Sequence, residues 1–251
     1  MFFTPRWLAS HLFAVVVVAA CIAAGFWQIN RLGERQDQNA LASARMDTPI
    51  SLGDARAVPA AELEFTRVQL TGTFDPDGEI LIANRSRDGA AGFWVWTNFE
   101  TGEGDLLVSR GFVNRGTVIG IEGAPPFFEA APTTGTVVIE GLMRSGFDNA
   151  RVSSDRTQLT RPDAAQAAEV LGLDPAFDER FYLSVLGQDP ARTQEIPFPV
   201  PLPDLGEGPH RSYAFQWFTF ATIGVIGYGV VLYRIARGDQ RRGDVPLSQH
   251  V

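Results

Sequence analysis

Two long uncharged apolar segments, one near each end of the chain, constrain its fold more than any other feature. Residues 8–29 carry no formal charge, and residues 213–233 form a second apolar run that opens with aromatic side chains. Each segment matches the roughly 20 residues that a helix needs to cross a bilayer. Arg234 follows the second run directly, and flanking aromatic and basic residues are typical of membrane interfaces. The sequence therefore predicts two transmembrane helices, over residues 8–29 and 213–233.

The arginines predict how these helices are oriented. All 21 basic residues are arginine. Arg6 precedes the first segment, and the tail after the second contains four arginines: Arg234, Arg237, Arg241 and Arg242. Short cytoplasmic segments of membrane proteins carry an excess of basic residues. We therefore expect a multi-pass protein of a bacterial inner membrane with both termini cytoplasmic, including a tail over residues 234–251, and with residues 30–209 in the periplasm.

The first apolar segment has an alternative interpretation. Cys21, which follows Val18-Ala19-Ala20, resembles the lipidation site of a bacterial lipoprotein. The apolar core of a signal peptide is only about 7–15 residues long, whereas this one continues to Ile29. We favour a retained helix, with a lipidated Cys21 as the alternative. Because Cys21 is the single cysteine, the chain forms no intrachain disulfide.

The segment between the helices predicts an antiparallel β-rich α+β domain. The first helix is expected to continue to about Met46, before Pro49. Turn residues at 75–78 and 101–104 predict hairpins, residues 161–171 predict one helix, and the prolines of 197–209 predict an extended lead into the second membrane helix. Strands rich in aromatic and β-branched residues are predicted at 65–74, 79–84, 93–99, 106–113, 136–143 and 180–186.

The composition of this domain excludes several function classes. Residues 30–209 contain no histidine and no cysteine, so neither a Ser-His-Asp or Cys-His nucleophile nor a typical zinc site fits there. Their 15 arginines stand against 27 acidic residues, a net charge of −12 that argues against nucleic-acid binding. A carboxylate-based envelope enzyme stays open, although acidic residues on a surface are usually only solvated. We expect a protein that is not an enzyme.

One helical face at the start of the second segment gathers residues suited to ligand binding. His210, Tyr213 and Trp217 share that face because they follow a spacing of three and four residues. The first segment ends at the same membrane surface with Trp27 and Gln28. If the two helices pair, Trp27, Gln28 and Arg31 meet this face, and the small residues available for pairing are Ala20, Ala24, Ala221 and Gly224.

This face has a structural and a functional interpretation. Tryptophan and tyrosine at this depth are typical membrane-interface residues, and His210 would then be simply solvated. Alternatively, His210 is an axial ligand of a haem iron, which makes it a candidate metal ligand. His11 cannot be its partner, because the two imidazoles would be separated by about 25 Å along the helices.

Four segments resemble the Surfeit locus protein 1 family, whose members assist the assembly of haem-copper cytochrome c oxidase. They follow the family's order and topology, although Ser109 and Phe112 stand where it usually has Asn and Trp, and Arg35 replaces a common Lys. The matching segments are residues 25–31 (Gly-Phe-Trp-Gln-x-x-Arg), 68–74 (Val-x-Leu-x-Gly-x-Phe), 107–113 (Leu-Val-Ser-Arg-Gly-Phe-Val) and 210–218 (His-x-x-Tyr-Ala-x-Gln-Trp-Phe).

The resemblance implies a role in the maturation of oxidase subunit I or in the delivery of haem a, bound transiently. It implies subunit I, other oxidase assembly factors and the lipid bilayer as partners. The resemblance implies His210 as the haem ligand. Tyr213, Trp217, Trp27 and Gln28, which helix spacing and pairing bring near His210, complete the predicted haem-binding residues. Arg110 and Arg115 are further candidates for contacting haem propionates, but pairing with the abundant acids is favoured for both. The alternative is a two-span scaffold or an extracytoplasmic ligand-sensing protein that binds no haem.

Overall fold

The computed structural model describes residues 4–118, 130–173, 181–193 and 195–243, with side chains to residue 237. Arg180, the first residue of the last predicted strand, and residues 244–251 of the predicted tail lie outside these ranges. The chain divides into a helical unit, residues 1–40 and 205–251, and a central unit, residues 41–204. The main elements in order are α1 (Pro5–Asp47), α2 (Leu52–Ala57), β1 (Arg67–Arg87), β2 (Ala90–Thr101), β3 (Leu106–Asn114), α3 (Arg115–Val118), β4 (Val137–Ser145), β5 (Gln158–Leu159), α4 (Ala164–Leu171), β6 (Phe181–Asp189) and α5 (His210–Gly243).

The two long helices, α1 and α5, are each long and apolar enough to cross a membrane. The α1 helix continues to Asp47, as the absence of proline before Pro49 predicts. Most of each apolar window is exposed in the isolated chain, whereas a core helix of a soluble protein would be buried. Such a surface suits a surrounding hydrocarbon solvent.

Within the helical unit, α1 and α5 pack antiparallel along a narrow stripe. Residues spaced alternately by three and four positions are buried or half-buried, which is the seven-residue repeat of paired helices. Ala221 and Gly224 lie on this stripe as predicted, but Ala20 is exposed, so its predicted role was wrong. The stripe consists of His11, Ala14, Val18, Cys21, Gly25 and Gln28 on α1 and of His210, Ala214, Trp217, Ala221, Gly224 and Tyr228 on α5.

At Gly25 the α1 backbone is in close contact with a side chain of α5. The Phe218 ring lies on it so closely that a Cβ at this position would be 2.7 Å from Phe218 Cζ. Phe26 meets the same ring edge-on, with 5.4 Å between centroids. A glycine in the middle of α1 therefore allows an aromatic side chain of α5 to pack against its backbone.

The central unit is built on a closed sheet. Its strands follow the ring order β1–β2–β3–β6–β4, and β1 closes the ring by pairing with both β2 and β4. Four of these five pairings are antiparallel, whereas β3 and β6 are parallel. The short strand β5 adds to β1 in parallel. The prediction of a β-rich domain is thus confirmed. Closure of the sheet into a barrel was not predicted, because the sequence patterns of single strands do not indicate it.

The first two predicted strands are one strand. Residues 75–78 form no hairpin, because β1 continues through them and pairs with β2 on both sides, from Phe74 opposite Phe99 to Glu79 opposite Thr97. The four residues bulge out, and Asp75 accepts a hydrogen bond from the Asp77 amide at 3.0 Å. The β1–β2 hairpin turns instead at Asp88-Gly89, where both residues have positive φ.

The predicted helix at 161–171 begins later, at Ala164, because Pro162 and Asp163 precede it rather than opening it. Asp163 caps the helix by accepting a hydrogen bond from Gln166 N at 3.0 Å. Gly172 ends it in the left-handed conformation, at φ 69°. The buried face of α4 packs on one core cluster of the sheet, which includes Ile80, Ile82, Trp96, Leu159 and Tyr182.

Candidate functional site

His210 and Gln28 meet where the two long helices come together near the end of the apolar stretch. His210 Nδ1 lies 2.8 Å from Gln28 Oε1, although 182 positions separate the two residues in sequence. Gln28 is 8% exposed, and His210 is half-buried. Because an amide oxygen can only accept, this contact is an Nδ1–H of His210 donating to Gln28.

The approach to α5 positions His210 at the first residue of that helix. Gly208 turns the chain with φ 67°, a conformation that favours glycine, and the Tyr213 amide donates to Pro209 O at 3.0 Å to close the first turn. A Cβ on Gly208 would lie 3.8 Å from His210 Nε2. The residue beside the second ring nitrogen thus has no side chain.

Three polar residues of α1 hold the segment before α5. Their side chains contact consecutive residues of that segment and so fix its path toward His210. The contacts are Asn39 Nδ2 to Leu205 O at 2.6 Å, Arg35 Nε to Gly206 O at 3.3 Å and Gln36 Nε2 to Glu207 Oε1 at 2.7 Å. Sequence analysis missed this anchor, because nothing in the local pattern relates residues 35–39 to residues 205–207.

The structure places the predicted aromatic residues of the site on exposed or half-buried positions of α1 and α5. Trp27 is 55% exposed and stacks with the Arg31 guanidinium, 5.8 Å from its ring centroid. Tyr213 is 47% exposed, and Trp217 packs edge-on against Phe220 at 6.0 Å. Across the described residues, Gln28 is therefore the one predicted site residue whose side chain hydrogen-bonds to His210.

His11 occupies the opposite end of the helix pair. Its Nδ1 lies 2.7 Å from the Tyr228 hydroxyl, and Trp7 and Tyr228 both pack near its ring. About 17 residues, or 25 Å of helix, separate it from Gln28. The two histidines thus belong to different places, as the sequence predicts.

Arg110, the charged residue of the 107–113 segment, is inside the central unit. It is 3% exposed, donates from Nε to Thr97 Oγ1 and from a terminal nitrogen to Ala130 O, both at 2.7 Å, and forms an ion pair with the buried Glu79. Burial raises the pKa of Glu79 above its ordinary value, against the opposing effect of Arg110, and burial lowers the pKa of Arg110. The favoured prediction of structural ion pairing is confirmed for Arg110, which is unavailable to a propionate.

The residues that follow Arg110 pack against other parts of the central unit. Gly111 has φ 145° and passes so close to another chain segment that a Cβ would lie 2.3 Å from Phe198 O. Phe112 and Phe198 exchange backbone hydrogen bonds of 2.7 and 2.8 Å beside it. Arg115 is exposed near the Phe93 ring. The Arg-Gly pair is therefore a structural element of the barrel.

No group of three or more histidine, cysteine or acidic side chains suited to a metal ion occurs among the residues that the structure describes. The arrangement at His210 provides one nitrogen ligand beside exposed aromatic surfaces. Such a site suits axial ligation of a metal that a macrocycle already holds.

Comparison with known proteins agrees with the four segments described above. The sequence matches the SURF1 family over residues 15–222, which include most of α1, all of the sheet and the beginning of α5. The chain belongs to the SURF1 family. This is a family of assembly factors, generally linked to cytochrome oxidase and not known as enzymes.

Three SURF1-like relatives illustrate the extent of the similarity. A Mycobacterium tuberculosis protein, described as uncharacterized, is 25% identical over 94% of this chain and 87% of its own length. One from Rickettsia bellii is 28% identical over 91% of this chain and 90% of its own. One from Monosiga brevicollis is 33% identical over 49% of each chain. The bacterial similarities extend over both the helical and the central unit.

Proposed function

We propose that this SURF1 protein is an inner-membrane assembly factor that binds haem a transiently through His210 and supplies it for the maturation of cytochrome c oxidase subunit I. Membership in the SURF1 family supports a role in the assembly of cytochrome c oxidase. The observation that supports haem binding is the His210–Gln28 contact, because it uses Nδ1 and leaves Nε2 with a lone pair.

The residues around His210 fit a haem. A haem supplies an iron atom that accepts an axial nitrogen ligand, and Nε2 has no protein partner among the residues described here. Trp27, with 55% of its surface exposed, offers an aromatic face for a porphyrin. Arg31 is half-exposed beside it and can exchange its contact with Glu34 for a propionate. Tyr213 and Trp217 lie on the same helix as His210, in the turns that follow it.

The proposed topology places both termini in the cytoplasm and the central unit in the periplasm. The apolar windows of α1 and α5 and the flanking arginines support this arrangement. His210 then lies at the periplasmic surface, where the second helix begins. Protease added to intact spheroplasts should digest the central unit. Digestion only after the spheroplast membrane is permeabilised would contradict this topology.

A deletion strain tests the oxidase role. We expect loss of the gene to lower both cytochrome c oxidase activity and the haem a content of subunit I, and the wild-type gene to restore both. Complementation with His210→Ala should restore less activity at equal membrane abundance. Full oxidase activity in the deletion strain would reject the assembly role and favour a scaffold or sensor that binds no haem.

A further inference from the structure

We propose that Gln28 is a positioning residue: its amide oxygen holds the His210 imidazole as the Nδ1–H tautomer and so presents Nε2 as the single ligand atom. This inference rests on the proposed function, because Nε2 matters as a ligand only if the site binds haem. The tautomer itself is a property of the protein without haem. It is therefore testable separately.

The contact leaves one choice for the imidazole hydrogen. Gln28 Oε1 lies 2.8 Å from His210 Nδ1, and a carbonyl-type oxygen has no hydrogen to give. Nδ1 must therefore carry the hydrogen, and in a neutral imidazole Nε2 then has none. Without this acceptor both tautomers are available, and only one of them offers Nε2 to a metal.

Packing alone does not explain a glutamine at this position. Gln28 lies on the buried stripe of α1 and is 8% exposed, whereas Gln36, two turns later on the same helix, is exposed and contacts Glu207. Burying an amide in apolar surroundings is unfavourable unless its polar atoms are paired. A leucine would fill the same space without that cost. A glutamine at position 28 is thus best explained by its hydrogen bond with His210.

A partner of this kind controls a histidine ligand in two ways. It fixes the ring orientation, and it modifies the basicity of the nitrogen that binds the metal. An amide is a neutral acceptor, so it increases the basicity of Nε2 less than a carboxylate would. The site therefore combines a fixed ligand atom with moderate ligand strength, which suits a protein that must release its haem.

The first test uses the haem-free full-length protein in lipid nanodiscs, labelled with ¹⁵N-histidine. The chain has only three histidines, and His210→Ala identifies the signal of His210. We expect the wild-type ¹⁵N shifts to show a protonated Nδ1 and an unprotonated Nε2. Gln28→Met keeps the side-chain length and should give a mixture of tautomers, whereas Gln28→Glu keeps an acceptor oxygen and should retain the wild-type state.

Gln38→Met is the matched control, because it makes the same replacement at an exposed position of the same helix. It should leave the His210 tautomer unchanged. A wild-type spectrum with hydrogen on Nε2, or a Gln28→Met spectrum like the wild type, would overturn the proposal. If Gln28 only stabilised the pairing of the two helices, Gln28→Met would not change the His210 tautomer. Gln28→Glu would then have no tautomer change to reverse.

The second test is titration of the same proteins with haem a. Loss of the hydrogen-bond partner that orients a metal ligand typically costs about 10–100-fold in metal affinity, so Gln28→Met should bind haem a that much more weakly. Gln38→Met and Gln28→Glu should bind it within a few-fold of the wild type. Equal affinities of Gln28→Met and wild type would reject the positioning role. If the wild type binds no haem a, the proposed function fails while the tautomer measurement still decides the role of Gln28.

Discussion

The central unit and the helical unit both bury polar side chains, but they use them differently. In the central unit, each side-chain nitrogen of Arg110 is engaged, by Thr97, Ala130 and Glu79. In the helical unit, His210 uses one ring nitrogen for Gln28 and has the other available. Glu79 Oε2 has no hydrogen-bond partner among the described residues, but burial of the Arg110–Glu79 pair keeps it from a ligand. His210, in contrast, is only half-buried. The comparison predicts that substitutions at His210 affect haem binding and that substitutions at Arg110 affect stability.

Removing one partner of the buried ion pair should have the largest effect, and it should be on stability. Arg110→Met removes the ion-pair partner of the buried Glu79, and breaking a buried ion pair costs about 3–5 kcal/mol. Denaturant unfolding in detergent, followed by the fluorescence of the tryptophans, measures this loss. The double variant Arg110→Met with Glu79→Leu should recover much of it. A stable Arg110→Met protein that has lost haem would break the comparison, because Arg110 would then act on the ligand.

The second-largest effect, a loss of haem a affinity, is expected when a substitution separates the two long helices. Gly25→Val places a side chain where Phe218 packs, and such overpacking costs about 1–3 kcal/mol. Since Gln28 and His210 meet only while the helices pair, haem a affinity should fall about tenfold. Gly33→Val is the matched control on the same helix, where a Cβ meets nothing within 4 Å. Equal affinities of the two variants would show that the site does not need this close approach.

A smaller effect is expected from the exposed aromatic surface next to Gln28. Trp27→Ala removes a ring that is free to stack on a porphyrin, an interaction of about 0.5–1.5 kcal/mol. A titration should therefore show a few-fold weaker haem a binding. Phe13→Ala, a comparable loss at a site that is 71% exposed and far along α1, should have no effect. A fall in affinity of the same size in both variants would point to a general loss of helix stability.

The smallest effect is expected at the second histidine of the pair. His11→Phe removes the hydrogen bond to Tyr228, and such bonds in membranes average about 0.6 kcal/mol. The haem spectrum should be unchanged, because His11 lies about 25 Å from the site. A changed spectrum would show that ligand chemistry is not confined to the Gln28 end.

The sequence predicts well those features that depend on local patterns. Continuous apolar runs identified both long helices, and strand boundaries in the second half of the sheet agree within a few residues. The β1 strand was divided wrongly because residues 75–78 have the composition of a turn, while their actual course depends on pairing with β2. The Asp88-Gly89 hairpin carried a recognisable signal that was overlooked.

The site could be predicted only in part, for a physical reason. His210 and Gln28 were identified because the sequence predicts that both lie at the ends of apolar segments that reach the same membrane surface. Their hydrogen bond, and the anchoring of residues 205–207 by Arg35, Gln36 and Asn39, join positions more than 160 residues apart. Contacts over such separations arise from tertiary packing, which no periodicity within one segment encodes.

The most direct test of the central claim is a reduced-minus-oxidised spectrum of the detergent-purified protein, co-expressed with haem a synthesis, for wild type and His210→Ala. The wild type should show a haem a band, and the variant should lack it at equal yield and with the same unfolding transition of the central unit. A haem band that persists unchanged in His210→Ala, or the absence of a band in the wild type, would contradict haem binding through His210.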